Sequence, residues 1–181
     1  PAAWADAAPP PPERTTPPIV GFLDAAKPAC WARSYDAAHL KAHPKQKVAA
    51  IAFTYTPEKT FPEEPRPQPM WDQYSEVPAF NALVVVTLKG GKKALLGSAY
   101  CRASDDPKRL DCGIDGDGGQ FTLTLKPDGN LRLDNPASFT VGDGEEGEEG
   151  PDTVWATIHA KDDQSAFLMT PATGGLCDED Y

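Results

Sequence analysis

The chain of 181 residues has no long apolar run, no cluster of basic residues and no paired-cysteine motif, and each absence removes a class of protein. The longest apolar stretch, Ala82–Leu88 (ALVVVTL), falls far short of the roughly 20 residues that a membrane-spanning helix needs. A phosphate-binding surface needs clustered Lys and Arg, whereas the formal net charge here is -10, so nucleic acid and anionic lipid are poor partners and a basic protein is a favoured one. The sequence also lacks C-x-x-C, H-E-x-x-H, G-x-S-x-G, a phosphate-cradling glycine loop and any internal repeat. Zinc ribbons, zincins, nucleophile-elbow hydrolases and nucleotide-binding folds therefore lose their sequence signatures.

Cysteine is present four times, and an even number without C-x-x-C spacing reads as two disulfides formed in an oxidising compartment. Ala3-Trp4-Ala5 has the small-x-small form found at the end of a secretory signal. Both features lead us to expect a periplasmic or secreted protein.

Residues 1–20 are rich in proline and alanine and short of apolar residues that would repay ordering, so they read as a disordered tether. Residues 21–181 read as a single β domain that begins near Phe22. One short helix is expected before Pro44, capped by Ser34 or Asp36. From Val48 the pattern changes to period two, with Ile51, Phe53 and Tyr55 on one strand face. Residues 57–78 are too proline-rich for a central strand and read as an insertion. Gly90-Gly91 joins one hairpin and Pro127-Asp128-Gly129 turns a second. Phe139 and Val141 start a further strand, and Val154, Ala156 and Ile158 are expected to run against Phe167 and Met169 across Lys161–Gln164. Eight or nine short antiparallel strands at this spacing predict a mainly β fold, a meander closed into a barrel or folded as a sandwich, with the one helix near its start.

The stretch YCRASDDPKRLDCGIDGDGGQF, Tyr100–Phe121, concentrates the candidate chemistry. Cys101 ends one expected strand and Cys112 lies in the next. Local spacing favours that cross-strand bond, leaving Cys30 with Cys177, over the two other connectivities. Asp115-Gly116-Asp117 resembles the start of a calcium loop, but the twelfth position is Lys126 where an EF-hand needs a bidentate acid. A looser calcium site would use Asp111, Asp115 and Asp117, against the plainer reading of a glycine-rich connection whose acids face water. His39 and His43 have a spacing that suits zinc, with His159 elsewhere on a strand; the plainer reading is a capping or surface role. Ser98 follows a glycine without the rest of a nucleophile motif, and acid pairs such as Asp105 with Asp106 lack a defined separation. No cofactor is expected.

The acidic loop at 142–151 (GDGEEGEEGP) reads as a solvated segment, or as a docking surface for a basic protein through Glu145, Glu146, Glu148 and Glu149. In the insertion, Phe61, Met70, Trp71 and Tyr74 are interleaved with prolines, as in a lid over a barrel mouth or a rim of interface anchors, with Trp71 and Tyr74 the candidate anchors.

YDAAHLKAHP at Tyr35–Pro44, CGIDGDGGQF at Cys112–Phe121 and PDGNLRL at Pro127–Leu133 are together similar to a family of uncharacterised bacterial envelope proteins, whose glycine-rich segment reads C-x-x-E-C-D-G-G-G-F. Cys112, Asp117, Gly118, Gly119 and Phe121 agree with it; Asp115 stands for the Glu, Gly116 for the second Cys and Gln120 for a Gly. The resemblance implies an envelope location and carries no activity. A small disulfide-tied secreted barrel also resembles, in architecture alone, the periplasmic inhibitors of c-type lysozyme. Their Tyr-x-Cys-x-x-Gly spacing fails here, because Tyr100 directly precedes Cys101. The expectation is a noncatalytic envelope binding module, most concretely an inhibitor of a basic cell-wall hydrolase such as lysozyme. The alternatives are a small-ligand carrier in the barrel and a calcium- or zinc-dependent enzyme.

Overall fold

The computed structural model describes residues 29–55, 70–71, 78–104, 106, 108–114, 117–143 and 153–178. Its elements are β1 (Ala29–Ser34), α1 (Ala37–Ala42), β2 (Val48–Tyr55), β3 (Met70–Trp71), β4 (Pro78–Leu88), β5 (Ala94–Ala103), β6 (Arg109–Ile114), β7 (Gln120–Leu125), β8 (Leu131–Asp134), β9 (Ser138–Gly142), β10 (Trp155–His159) and β11 (Ala166–Pro171), followed by a 3-10 turn at Gly175–Asp178. Eight of these strands close into one antiparallel ring, β1-β2-β4-β5-β6-β7-β8-β11 and back to β1. Apart from β3, which pairs on β4, and the β9–β10 hairpin, each ring strand lies beside its successor, so the fold is an up-and-down meander barrel rather than a sandwich.

Period-two patterning fills the inside. Trp31, Ile51, Phe53, Tyr55, Val84, Val86, Leu110, Phe121, Leu123, Leu133, Phe167 and Met169 are all buried in one cluster. Their outward neighbours on β6, β7 and β8 are polar: Arg109, Asp111, Thr122, Thr124, Arg132 and Asp134. On these three strands the pattern, apolar inside and polar outside, is the reverse of the lipid-facing pattern of a membrane-spanning barrel. No helix among the described residues is long and apolar enough to cross a membrane.

The α1 side of the barrel is covered by the β9–β10 hairpin. Phe139, Val141 and Ile158 are fully buried in the main core, and Phe139 sits between Phe121 (5.9 Å between ring centroids) and Phe167 (6.4 Å). Gly119, at φ 87°, allows the β6–β7 connection to bridge to Phe139; a Cβ there would collide with the Ser138 carbonyl oxygen. At the opposite mouth Trp31 donates its indole N–H to the Gly129 carbonyl (2.9 Å), tying β1 to the turn that follows β7. A second, smaller apolar cluster, Ala52, Leu83 and Val85, lies outside the barrel wall. Leu176 and Cys30 pack on it, and the Cys30–Cys177 disulfide pins the 3-10 turn there.

Both favoured disulfides are formed, Cys30–Cys177 and Cys101–Cys112, and no described cysteine is free. The expected short helix before Pro44 is six residues long and is capped by Asp36, whose carboxylate accepts from the His39 backbone N–H at 2.7 Å. Two details differ from expectation. Residues Ala29–Ser34 form a ring strand, because Trp31 and its alternating neighbours seat against β2 and β11. Strand β10 turns back onto β9 instead of pairing with β11. Ile158 shares the apolar face of Phe139 and Val141, whereas Phe167 and Met169 point into the barrel from β11, between β8 and β1. The side chain of Asn135 holds this crossover, donating to the carbonyls of Ile158 (2.9 Å) and Gln164 (3.2 Å). The segment 1–20, the expected start of the domain near Phe22, most of 57–78 and residues 144–152 lie outside the described residues.

Candidate functional site: a groove on the outer barrel wall

The register of β5 and β6 is fixed from below. Cys101 stands directly opposite Cys112, and their disulfide, with Cα atoms 4.1 Å apart, lies on the buried side of the wall. Alternation then turns Tyr100 and Arg102 on β5, and Asp111 and Gly113 on β6, to the outside. Across β5, β6 and β7 the outward residues form rows: Tyr100 opposite Gly113 opposite Gln120, and Arg102 opposite Asp111 opposite Thr122. Gly113 supplies no side chain to its row, and a Cβ there would find nothing nearer than the Gly119 carbonyl oxygen at 3.8 Å. The result is a groove of about 610 Å³ floored by Gly113 and walled by Tyr100, Arg102, Arg109, Asp111, Gln120, Thr122 and Pro136.

Its charges are only partly neutralised. Asp111 accepts from Arg109 through Nε (3.0 Å) and Nη2 (2.9 Å), both on the same carboxylate oxygen. Arg132 and Asp134 repeat that arrangement on β8, where the carboxylate holds the Arg132 guanidinium above its ordinary pKa, first through the hydrogen bond and then through charge. Arg102 faces Asp111 across the strands but makes no ion pair with a described residue. Tyr100 is 42% exposed despite its large apolar ring.

Of the residues singled out from sequence, Asp111 lies in this groove as the partner of Arg109, and Asp117 lies exposed in the connection between β6 and β7. Asp115, Tyr74, Glu145, Glu146, Glu148 and Glu149 lie outside the described residues, as does the side chain of Trp71, whose backbone forms β3. Among the described residues no group of three or more His, Cys, Asp or Glu side chains is placed to hold a metal. His39 and His43 stack on each other (4.4 Å), Tyr35 stacks on His39 (4.5 Å), and His39 Nε2 is 3.1 Å from Gln46 Oε1, so the pair is bound into the helix surface. Burial pushes the Tyr35 phenol above its ordinary pKa, against a smaller opposing pull from Arg33.

Sequence reading missed Tyr100, Arg102, Arg109, Gly113, Gln120 and Thr122 as a group. The signal lay in the disulfide itself: once Cys101 is set opposite Cys112, the outward neighbours fall into register. It also missed Trp155, which is 55% exposed and lies over Gly142, where an added Cβ would meet the indole ring. Fold and surface together define a side-chain-filled, disulfide-pinned meander barrel with its accommodating surface on the outside. Comparison with known protein families, with curated proteins and with solved structures finds no match to this chain.

Proposed function

We propose that the protein is a noncatalytic binding module of the cell envelope that works through the outer wall of its barrel, and most concretely an inhibitor of a basic cell-wall hydrolase. The observation that carries this reading is the packed interior: Phe53, Tyr55, Phe121, Phe139 and Phe167 are each at most 1% exposed, which disfavours a small-ligand carrier and leaves the surface for recognition. Two disulfides support an oxidising compartment. The net charge of -10 supports a cationic protein as partner, since complementary charge speeds encounter and suppresses wrong pairings. The resemblance of Cys112–Phe121 to an envelope family agrees with the location. Trp71 and Tyr74 are the proposed close-range anchors, and Glu145, Glu146, Glu148 and Glu149 the steering charges.

The reading is tested by clearing of a cell-wall suspension by c-type lysozyme with and without the protein. Protection at near-stoichiometric ratios, lost on changing Trp71 and Tyr74 to alanine, is expected. Unchanged clearing with excess protein at low salt overturns the inhibitor for that enzyme.

A further inference from the structure

We propose that the groove over Gly113 is a binding site for a saccharide that carries a carboxylate. This goes beyond the hydrolase reading and needs no part of it. The polar groups of the lining are two guanidinium groups (Arg102, Arg109), one carboxylate (Asp111), one amide (Gln120) and one hydroxyl (Thr122); apolar surface, including that of Tyr100 and Pro136, makes up about half of the lining around Gly113. Mixed donors and acceptors at this density suit a ligand rich in hydroxyls, each of which both donates and accepts. A polyphosphate is disfavoured by the Asp111 carboxylate in the same row as Arg102, and an apolar ligand would leave these groups desolvated without partners.

Tyr100, 42% exposed and opposite Gly113, brings an aromatic side chain to the groove, and an aromatic ring can pack on the apolar face of a pyranose. Arg102 supplies the selectivity. Asp111 spends one oxygen on both Arg109 contacts, so Arg102 is the groove's cation without an ion-pair partner among the described residues, and its planar fork matches a carboxylate. The volume lies within the range of small-molecule sites, and the disulfide beneath the floor keeps β5 and β6 in fixed register, so little ordering is demanded on binding.

The test is a pair of matched titrations followed by backbone amide chemical shifts: trigalacturonic acid against its methyl ester, and the N-acetylglucosamine–N-acetylmuramic acid disaccharide against chitobiose. At least one acidic probe is expected to shift Gly113, Gln120 and their neighbours, with its neutral match binding at least about tenfold more weakly, as the loss of one charge-assisted pair implies. Which acidic probe binds distinguishes a uronic-acid polymer from a wall glycan as the source. Arg102→Ala should remove the preference for acid, the acidic probe falling to the affinity that its neutral match shows for the same variant. Gly113→Val, whose Cβ the structure accommodates, should fill the floor and abolish binding of every probe. Absence of shifts at the groove with both acidic probes at millimolar concentration overturns the proposal, and so does an acid preference that survives Arg102→Ala. Neither result touches the lysozyme assay, so the two readings fail separately.

Discussion

Replacing Cys30 and Cys177 by alanine should destabilise the protein more than replacing Cys101 and Cys112, although the second pair lies within the ring itself. The first bond closes a loop across 147 residues and the second across 11. In the chain-entropy description these lengths correspond to about 5 and about 3 kcal/mol of unfolded-state restriction. At roughly 2–4 °C per kcal/mol for a domain of this size, the expected falls in melting temperature are about 10–20 °C and about 6–12 °C. A native-state contribution adds to the first: without Cys177 the 3-10 turn loses its tether, and Leu176 its hold over Ala52, Leu83 and Val85. Urea unfolding of the wild type, the two double variants and the quadruple variant measures this directly. The slope against urea should rise most for the long-loop variant, whose denatured state expands most. A larger loss from Cys101 and Cys112 would show that unfolded-state restriction does not set the order and that their bond holds the native wall.

Changing Gly119 to alanine should cost about 1–3 kcal/mol for its positive φ and more for the collision with the Ser138 carbonyl, read as a lowered urea midpoint; a neutral result would show that the β6–β7 connection does not bridge to Phe139. Tyr35 has its folded pKa raised above 10.0, so the folded state holds the proton more tightly: its stabilising effect is whole below the unfolded pKa near 10.0 and is lost as pH rises through the folded value. Tyr35→Phe should therefore flatten the fall in stability above that pH, and an identical decline in both proteins would show that another group governs it. Millimolar calcium or chelator should move the melting temperature by less than about 1 °C, because Asp111 is engaged with Arg109 and the calcium-like segment lacks its distal acid; a rise of several degrees would reverse that reading.

The barrel was legible wherever alternation and turn chemistry agreed. Ile51, Phe53 and Tyr55, or Phe121, Leu123 and Leu125, announce an inward face, and Pro127-Asp128-Gly129 announces the turn between β7 and β8. Strand β1 was not legible, because Cys30–Ser34 carries one large apolar residue, Trp31, and one of its two partners, β11, lies far along the chain. The pairing of β10 was misread for a related reason. Proximity across Lys161–Gln164 suggested a hairpin, but the deciding contacts are those of Phe139, Val141 and Ile158 with the core. The groove was legible only in its disulfide, since a cavity made by a missing side chain at Gly113 leaves no periodic signal.

We propose that the outer surface of the filled barrel recognises a cationic envelope hydrolase. Association and dissociation of c-type lysozyme over the immobilised wild-type protein, across a series of salt concentrations, tests it most directly. Association is expected to slow steeply as salt rises and likewise when Glu145, Glu146, Glu148 and Glu149 become glutamine, with dissociation nearly constant. Absence of binding at low salt would contradict the claim for this hydrolase, and binding indifferent to both salt and the four substitutions would contradict its electrostatic basis.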